Sequence, residues 1–364
     1  MLDYFDAFVT RYQPYKGGAW CYEDGCIYRG LVLLHDATGD DRWCAHLERL
    51  ASAQVAPDGT LQGYRIDEYN IDNILSGRAL FALDRWTGDP RWMRAAAFLA
   101  RQLDTHPRTK TGNYWHKLRY PHQVWLDGLY MALPFQIEYA QHVKDAARVQ
   151  DALAQMRAAL GVTIRKDGLY AHGFDAEGVQ DWADSTTGQS PSVWARALGW
   201  QAMALVDCAE LVGIDAFAQA ELLPPTQSLL EHLAALQVDD GGWWQVINLP
   251  NLAGNYTETS ASAMFAYAFA SAAGLRLGCD QVAKAEDRVF DFLQTQLQSE
   301  NGQTRLTDIC HVAGLGGFEG VYRDGSPGYY LTEARVSDDA KGTGPLMMAH
   351  ARMLQRQAAQ LAPA

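Results

Sequence analysis

Two aspartates, Asp72 and Asp127, stand in loops that are dense in aromatic and polar side chains, each at the start of an apolar stretch. The first loop reads Tyr69-Asn70-Ile71-Asp72-Asn73. The second runs from Tyr114-Trp115-His116-Lys117 through Pro121-His122-Gln123-Val124-Trp125-Leu126-Asp127. Similar clusters occur at Trp20-Cys21-Tyr22-Glu23-Asp24, at Trp194-Ala195-Arg196 with Trp200, and at Asn255-Tyr256-Thr257-Glu258-Thr259-Ser260. Such mixtures suit a sugar site. Trp and Tyr faces cover apolar C–H surfaces, while Asp, His, Lys and Arg bind hydroxyls and carboxylates. Each residue also has a plainer role. Asp72 and Asp127 could be helix N-caps, and His116 and His172 surface or core histidines. Arg196 could sit in a structural ion pair and Trp200 in the core. The recurrence of an Asp at the same place in consecutive repeats favours chemistry. No His, Asp and Glu set has metal-ligand spacing. No G-x-S-x-G elbow is present, and Gly314, Gly316, Gly317 and Gly320 open no phosphate-binding helix.

These loops need a scaffold, and the scaffold reads as helical. Leu31–Leu34 and Leu47–Ala51 mark two helices joined by Ala37-Thr38-Gly39-Asp40-Asp41. The same Thr-Gly-Asp turn returns at Thr87-Gly88-Asp89, between Ile74–Leu80 and Met93–Leu103, which is an internal repeat. Looser copies pair 126–140 with 146–160, 193–212 with 222–236, and 259–277 with 282–297. Residues 341–360 pair with the first residues of the chain. The first helix of each pair is small-residue-rich and apolar all round, as in Ser260-Ala261-Ser262-Ala263-Met264, and so is buried on every side. The expected fold is all-α: a closed α/α toroid of about six hairpins, residues 1–364 forming one domain. In such a ring the loops entering the inner helices meet at one end of the axis.

The bulk numbers limit the partners. With 43 acidic and 30 basic residues the formal net charge is -13. That balance argues against nucleic acid, since no basic surplus exists to neutralise phosphates. It leaves room for a small anion held by local cations. Neither a signal-like run nor a membrane-length span is found. The six cysteines have no zinc-like pairing and read as reduced thiols. A cytoplasmic location is expected, with no membrane partner. The oligomeric state is not legible.

The ordered blocks along the chain resemble the unsaturated rhamnogalacturonyl hydrolases, glycoside hydrolase family 105. The strongest block is Trp115-His116-Lys117…Tyr120-Pro121…Gln123…Trp125-Leu126-Asp127-Gly128-Leu129-Tyr130-Met131. Others are His172-Gly173-Phe174-Asp175, Trp194-Ala195-Arg196-Ala197-Leu198-Gly199-Trp200, Asn255–Met264, Cys310–Gly317, Tyr322-Arg323-Asp324-Gly325-Ser326 and Lys341-Gly342-Thr343-Gly344-Pro345. The resemblance covers almost the whole chain and implies an (α/α)6 barrel with no metal or organic cofactor. It implies hydration of the C4=C5 double bond of an unsaturated uronic acid at the non-reducing end of a short pectin-derived oligosaccharide, releasing rhamnose. By motif, Asp127 is the general acid/base and Asp72 the second essential carboxylate, expected to help keep Asp127 protonated by like-charge proximity. Tyr22, His116, Lys117, Trp125, His172, Arg196 and Trp200 match site-lining positions. Arg196 or Lys117 is expected to pair with the substrate carboxylate. Departures such as Phe174 and Ala195 bear on the subsite beyond the cleaved bond. The nearest alternative is an unsaturated glucuronyl hydrolase acting on glycosaminoglycan or algal fragments. An inverting glycosidase, an epimerase and a glycan-binding protein are more distant.

Overall fold

A computed structural model describes residues 1–361. Its helices fall into six hairpins. The first complete one joins α2 (Tyr22–Thr38) to α3 (Asp41–Ser52), after an N-terminal α1 (Leu2–Arg11). Next, a 3-10 stretch, Ile71–Gly77, runs into α4 (Arg78–Thr87), followed by α5 (Arg91–Thr105). Then come α6 (Leu126–Val143) with α7 (Ala146–Thr163), and α8 (Ala195–Val212) with a short α9 (Ile214–Gln219) and α10 (Leu223–Ala235). The series ends with α11 (Thr259–Leu275) and α12 (Asp280–Thr295), a short α13 (Pro327–Thr332), and α14 (Ala340–Leu361).

Burial sorts these helices into two layers. Every residue of α11 from Thr259 to Ala272 is buried, so the helix has no face for water. In α3, by contrast, only the stripe Trp43, Leu47, Leu50 and Ala51 is buried. The inner helices α2, α4, α6, α8, α11 and α14 pack neighbour against neighbour, and α14 returns to α2. The helices α3, α5, α7, α10 and α12 lie outside their inner partners. α1 takes the sixth outer place, with Phe5 edge-on to His350 of α14 at 5.7 Å. This is an (α/α)6 barrel, as the hairpin repeat predicts.

The repeated turn has one chemical design. Thr38 and Thr87 each bond the carbonyl four residues back, and each hydroxyl accepts the amide of Asp40 or Asp89. Each Asp then caps the next helix through the amide of Arg42 or Arg91. Between them Gly39 and Gly88 take the left-handed conformation, at φ 65° and 67°.

Strand signals are scarce in the sequence, yet short strands join the helices at the loop end. β1 (Gln123–Trp125) pairs antiparallel with β2 (Gly173–Asp175), Trp125 opposite Gly173. Between α12 and α14, β3 (Leu297–Glu300) pairs with β4 (Gln303–Leu306). In the same segment β5 (Ile309–Cys310) pairs with the later β8 (Arg335–Val336), and β6 (Gly316–Phe318) with β7 (Val321–Arg323). Strands of this length are too short to show alternation. No described helix is long and apolar enough to cross a membrane.

Ring closure depends on close backbone approach. A Cβ at Gly344 of α14 would stand 2.5 Å from the backbone of Cys26 in α2, and one at Gly30 would meet Met347 at 2.7 Å. Gly344→Ala is therefore expected to destabilise the fold by about 1–3 kcal/mol. Gly161→Ala, in open space on α7, is expected to be neutral or slightly stabilising. Chemical denaturation of both variants checks this, and equal stability of the two would contradict it.

Candidate active site

Backbone pairing brings the two halves of the first carboxylate cluster together. The amide of Ile71 donates to the carbonyl of His116 at 3.3 Å, and Asn70 bridges Lys117. Asp72 is not a cap, because Asn70 caps the 3-10 turn through the amide of Asp72 itself. The Asp72 carboxylate is left to Lys117, whose Nζ lies 2.5 Å away. His116 Nε2 stands 3.6 Å from the other oxygen. Burial pushes the Asp72 carboxyl up. Lys117, through its charge and its hydrogen bond, outweighs that and holds it below the usual aspartate range. Burial drives His116 down to about 3, so its ring is neutral at physiological pH.

The second cluster rests on β1 and β2. Their pairing continues into a bond from the Leu126 amide to the His172 carbonyl, at 3.0 Å. Asp127 is set in the first turn of α6, whose N-cap is Trp125 without a side-chain cap. Its Oδ2 lies 3.1 Å from His172 Nε2. The pair is off hydrogen-bond alignment, and both atoms are buried without a hydrogen-bond partner. His172 is itself tied through Nδ1 to the Tyr330 hydroxyl, 2.7 Å away. Above them His116, Trp125 and Tyr120 form a stack with centroids 4.1 and 4.9 Å apart.

Asp72 and Asp127 face one open cavity of about 330 Å³, with Tyr22, His116, Lys117 and Trp125 on its walls. His172 is fully buried and does not line it; it stands behind Asp127. Two more expected site residues do not line it. Trp200 is 1% exposed and stacks on Tyr130 in the core at 5.4 Å, so it is no sugar platform here. Arg196 is also 1% exposed. Its guanidinium donates to Ser260 Oγ at 3.2 Å, to the Cys310 carbonyl, and to the His311 carbonyl at 3.3 Å, fixing the loop behind the wall. The expected effect of Asp72 on Asp127 is also weakened, because Lys117 neutralises Asp72.

The cavity contains residues that sequence reasoning passed over. Lys16 pairs with Glu23 at 2.9 Å, and Lys341 with Asp339 at 2.8 Å. Arg119, Tyr120, His311, Phe318 and Arg323 complete much of the wall. Arg323 and Lys341 lie in family-like blocks, but their loops have no periodic pattern to place them. Among the described residues, no cluster of three or more His, Cys, Asp or Glu could hold a metal ion.

Residues 4–357 match the profile of Glycosyl Hydrolase Family 88. The chain belongs to this family. It is thus a glycoside hydrolase, and the family 105 likeness read from the blocks is borne out. A solved family 105 glycoside hydrolase from C. acetobutylicum is 32% identical, with a TM-score of 0.87, covering 92% of this chain and 93% of that one. Protein Atu3128 of Agrobacterium fabrum is 53% identical over 230 residues, 62% of this chain and 98% of its own length. The unsaturated rhamnogalacturonyl hydrolase YesR of Bacillus subtilis is 25% identical over 264 residues, 71% of this chain and 72% of that protein.

In this family member the Lys117–Asp72 pair generates a pH signature. The lowered pKa of Asp72 stabilises the fold above the ordinary aspartate value of about 4, and that contribution is lost as pH falls through the lowered value. Lys117→Met leaves Asp72 buried without its cation and is expected to cost about 3–5 kcal/mol at pH 7. The deficit should shrink near pH 4, where a protonated Asp72 needs no partner. Denaturation at the two pH values measures it; a deficit independent of pH would mean that the pair is not the source.

Proposed function

We propose that the protein hydrates the C4=C5 double bond of an unsaturated uronic acid at the non-reducing end of a short oligosaccharide, releasing the neighbouring sugar. The supporting observation is the asymmetry of the two carboxyl groups in one cavity. Asp72 is clamped by Lys117 and held ionised. Among the described residues the Asp127 carboxyl has no lysine or arginine beside it and makes no hydrogen bond, and it points a buried oxygen at His172. A clamped carboxylate holds hydroxyls; an unclamped one can move a proton.

The chemistry needs one such group. The C4=C5 bond is a vinyl ether. Asp127 gives its proton to C4, and positive charge develops at C5 and the ring oxygen. The carboxylate then takes a proton from the water that attacks C5. The hemiketal opens to a C5 ketone, and the former anomeric carbon, now a hemiacetal, expels the neighbouring sugar as an alcohol. One water is consumed, and Asp127 ends protonated as it began. Trp125 and Tyr120 line the cavity, and aromatic walls suit the apolar side of the ring.

The preferred substrate is a rhamnogalacturonan-derived disaccharide with rhamnose leaving, in line with the family 105 likeness and with YesR. A glucuronyl substrate is the alternative, separated by comparing unsaturated rhamnogalacturonan and chondroitin disaccharides. The same reading takes the 364 residues as one catalytic domain acting in the cytoplasm.

Asp127→Asn keeps the shape but cannot donate the proton. Turnover should fall by about 10²–10⁴-fold while binding survives. In the wild type the near-ultraviolet absorbance of the conjugated alkene should fall as sugar is released. Heavy-oxygen label should enter at C5 and deuterium at C4 of the keto acid. Steady absorbance during sugar release would sink the mechanism.

A further inference from the structure

Five lysines and arginines line the active cavity: Lys16, Lys117, Arg119, Arg323 and Lys341. All three lysines already hold a carboxylate of the protein, namely Glu23, Asp72 and Asp339. A lysine so engaged is nearly neutralised toward a ligand, and drawing it away would strand the acid it holds. Arg323 differs. It is only 8% exposed. Among the described residues no carboxylate lies within ion-pair distance of it. Its guanidinium donates only to neutral oxygens: the Tyr120 hydroxyl at 2.7 Å, the Leu315 carbonyl at 3.0 Å and the Gly316 carbonyl at 3.1 Å. Nη1 makes no hydrogen bond among the described residues. A buried cation without an opposite charge is costly, and here it faces a cavity where a ligand can supply that charge.

The geometry points to Arg323 as the residue that binds the carboxylate of the uronic acid, in place of Arg196 or Lys117. This rests on the proposed uronate substrate and names how the site reads it. The location fits the chemistry. The guanidinium lies 5.9 Å from the centre of the Trp125 ring, which stacks with His116 and Tyr120 and meets His172, the partner of Asp127, edge-on. A uronate lying along Trp125 with its carboxylate at Arg323 has C5 beside that end and C4 one bond nearer Asp127. A carboxylate attached to C5 also stays negative while cationic charge develops at C5. Its partner must therefore orient it without moving, and three neutral hydrogen bonds hold Arg323 still. Arg119 likewise lacks an acid partner, but it is exposed at the rim over Phe318, where a charge is worth little.

The test uses binding, so that it does not depend on turnover. Calorimetry compares galacturonate and glucuronate with their methyl esters, which keep the ring and remove the charge. The wild type should prefer the acids. Arg323→Met should abolish that preference, weakening the acids by at least roughly 30-fold and leaving the esters unchanged. Arg323→Lys should restore part of it. Arg196→Met and Arg119→Met should retain it. If Arg323→Met weakens acids and esters alike, Arg323 merely supports its loop and the assignment is overturned. A preference that survives Arg323→Met but disappears in another variant overturns it too. If the wild type binds acids and esters equally, the cavity reads no uronate carboxylate and this inference fails. Absence of double-bond hydration, with the acid preference intact, would overturn only the proposed reaction.

Discussion

The contact between α14 and α2 is the constraint on which the rest of the barrel depends. Inner helices that are apolar all round have no face to turn to water, so each needs a neighbour on both sides. Only a ring supplies that to all six, and the ring closes where Gly344 lies against the backbone of Cys26. Closure has a chemical consequence. It brings Lys341, at the start of the last helix, beside Tyr15 near the start of the chain, with Nζ 5.4 Å from that ring. Both then share a cavity with Asp72 and Asp127.

The two ends of the ring are treated differently. Deep in the inner helices, Arg78 is bonded to Asp207 at 2.5 Å and to Glu138 at 3.0 Å, while Tyr267 donates to Asp207 at 2.6 Å. Glu138 and Asp207 lie twelve residues into α6 and α8, about 18 Å along each axis from the helix starts. This network links α4, α6, α8 and α11 across the axis. Such pairs add little net stability, but removing one member is expensive, so they favour one arrangement of the helices. The other end is left open to a ligand. A frame fixed at one end lets the loops at the other hold reactive groups in place before the ligand arrives.

Charge is sorted locally, against the global trend. The chain carries a formal net charge of -13, yet five cationic side chains line the cavity. Three of them are neutralised by acids a few ångströms away. The two key carboxyl groups also part company, one clamped by a lysine and the other set against a buried histidine. Position relative to fixed neighbours separates two chemically identical side chains into a binder and a proton carrier.

The sequence alone determined the helical hairpins, because periodicity and the Thr-Gly-Asp turn are local signals. Thr38-Gly39-Asp40 and Thr87-Gly88-Asp89 encode their own hydrogen bonds within a few residues. It also marked Asp72, His116, Lys117, Trp125, Asp127 and His172, since each stands in a loop whose composition differs from its surroundings. It could not decide that Trp200 packs on Tyr130 or that Arg196 holds the Cys310 and His311 carbonyls. Both lie on the inner helix that opens the fourth hairpin, and the direction in which each side chain points depends on the neighbouring helices. Nor could it place Arg323, which reaches the cavity from a three-residue strand too short to show a pattern. Only tertiary structure sets which cations meet an acid and which do not. Lys117 meets Asp72, and Arg323 meets the Tyr120 hydroxyl, across long stretches of chain, and no local spacing encodes those meetings.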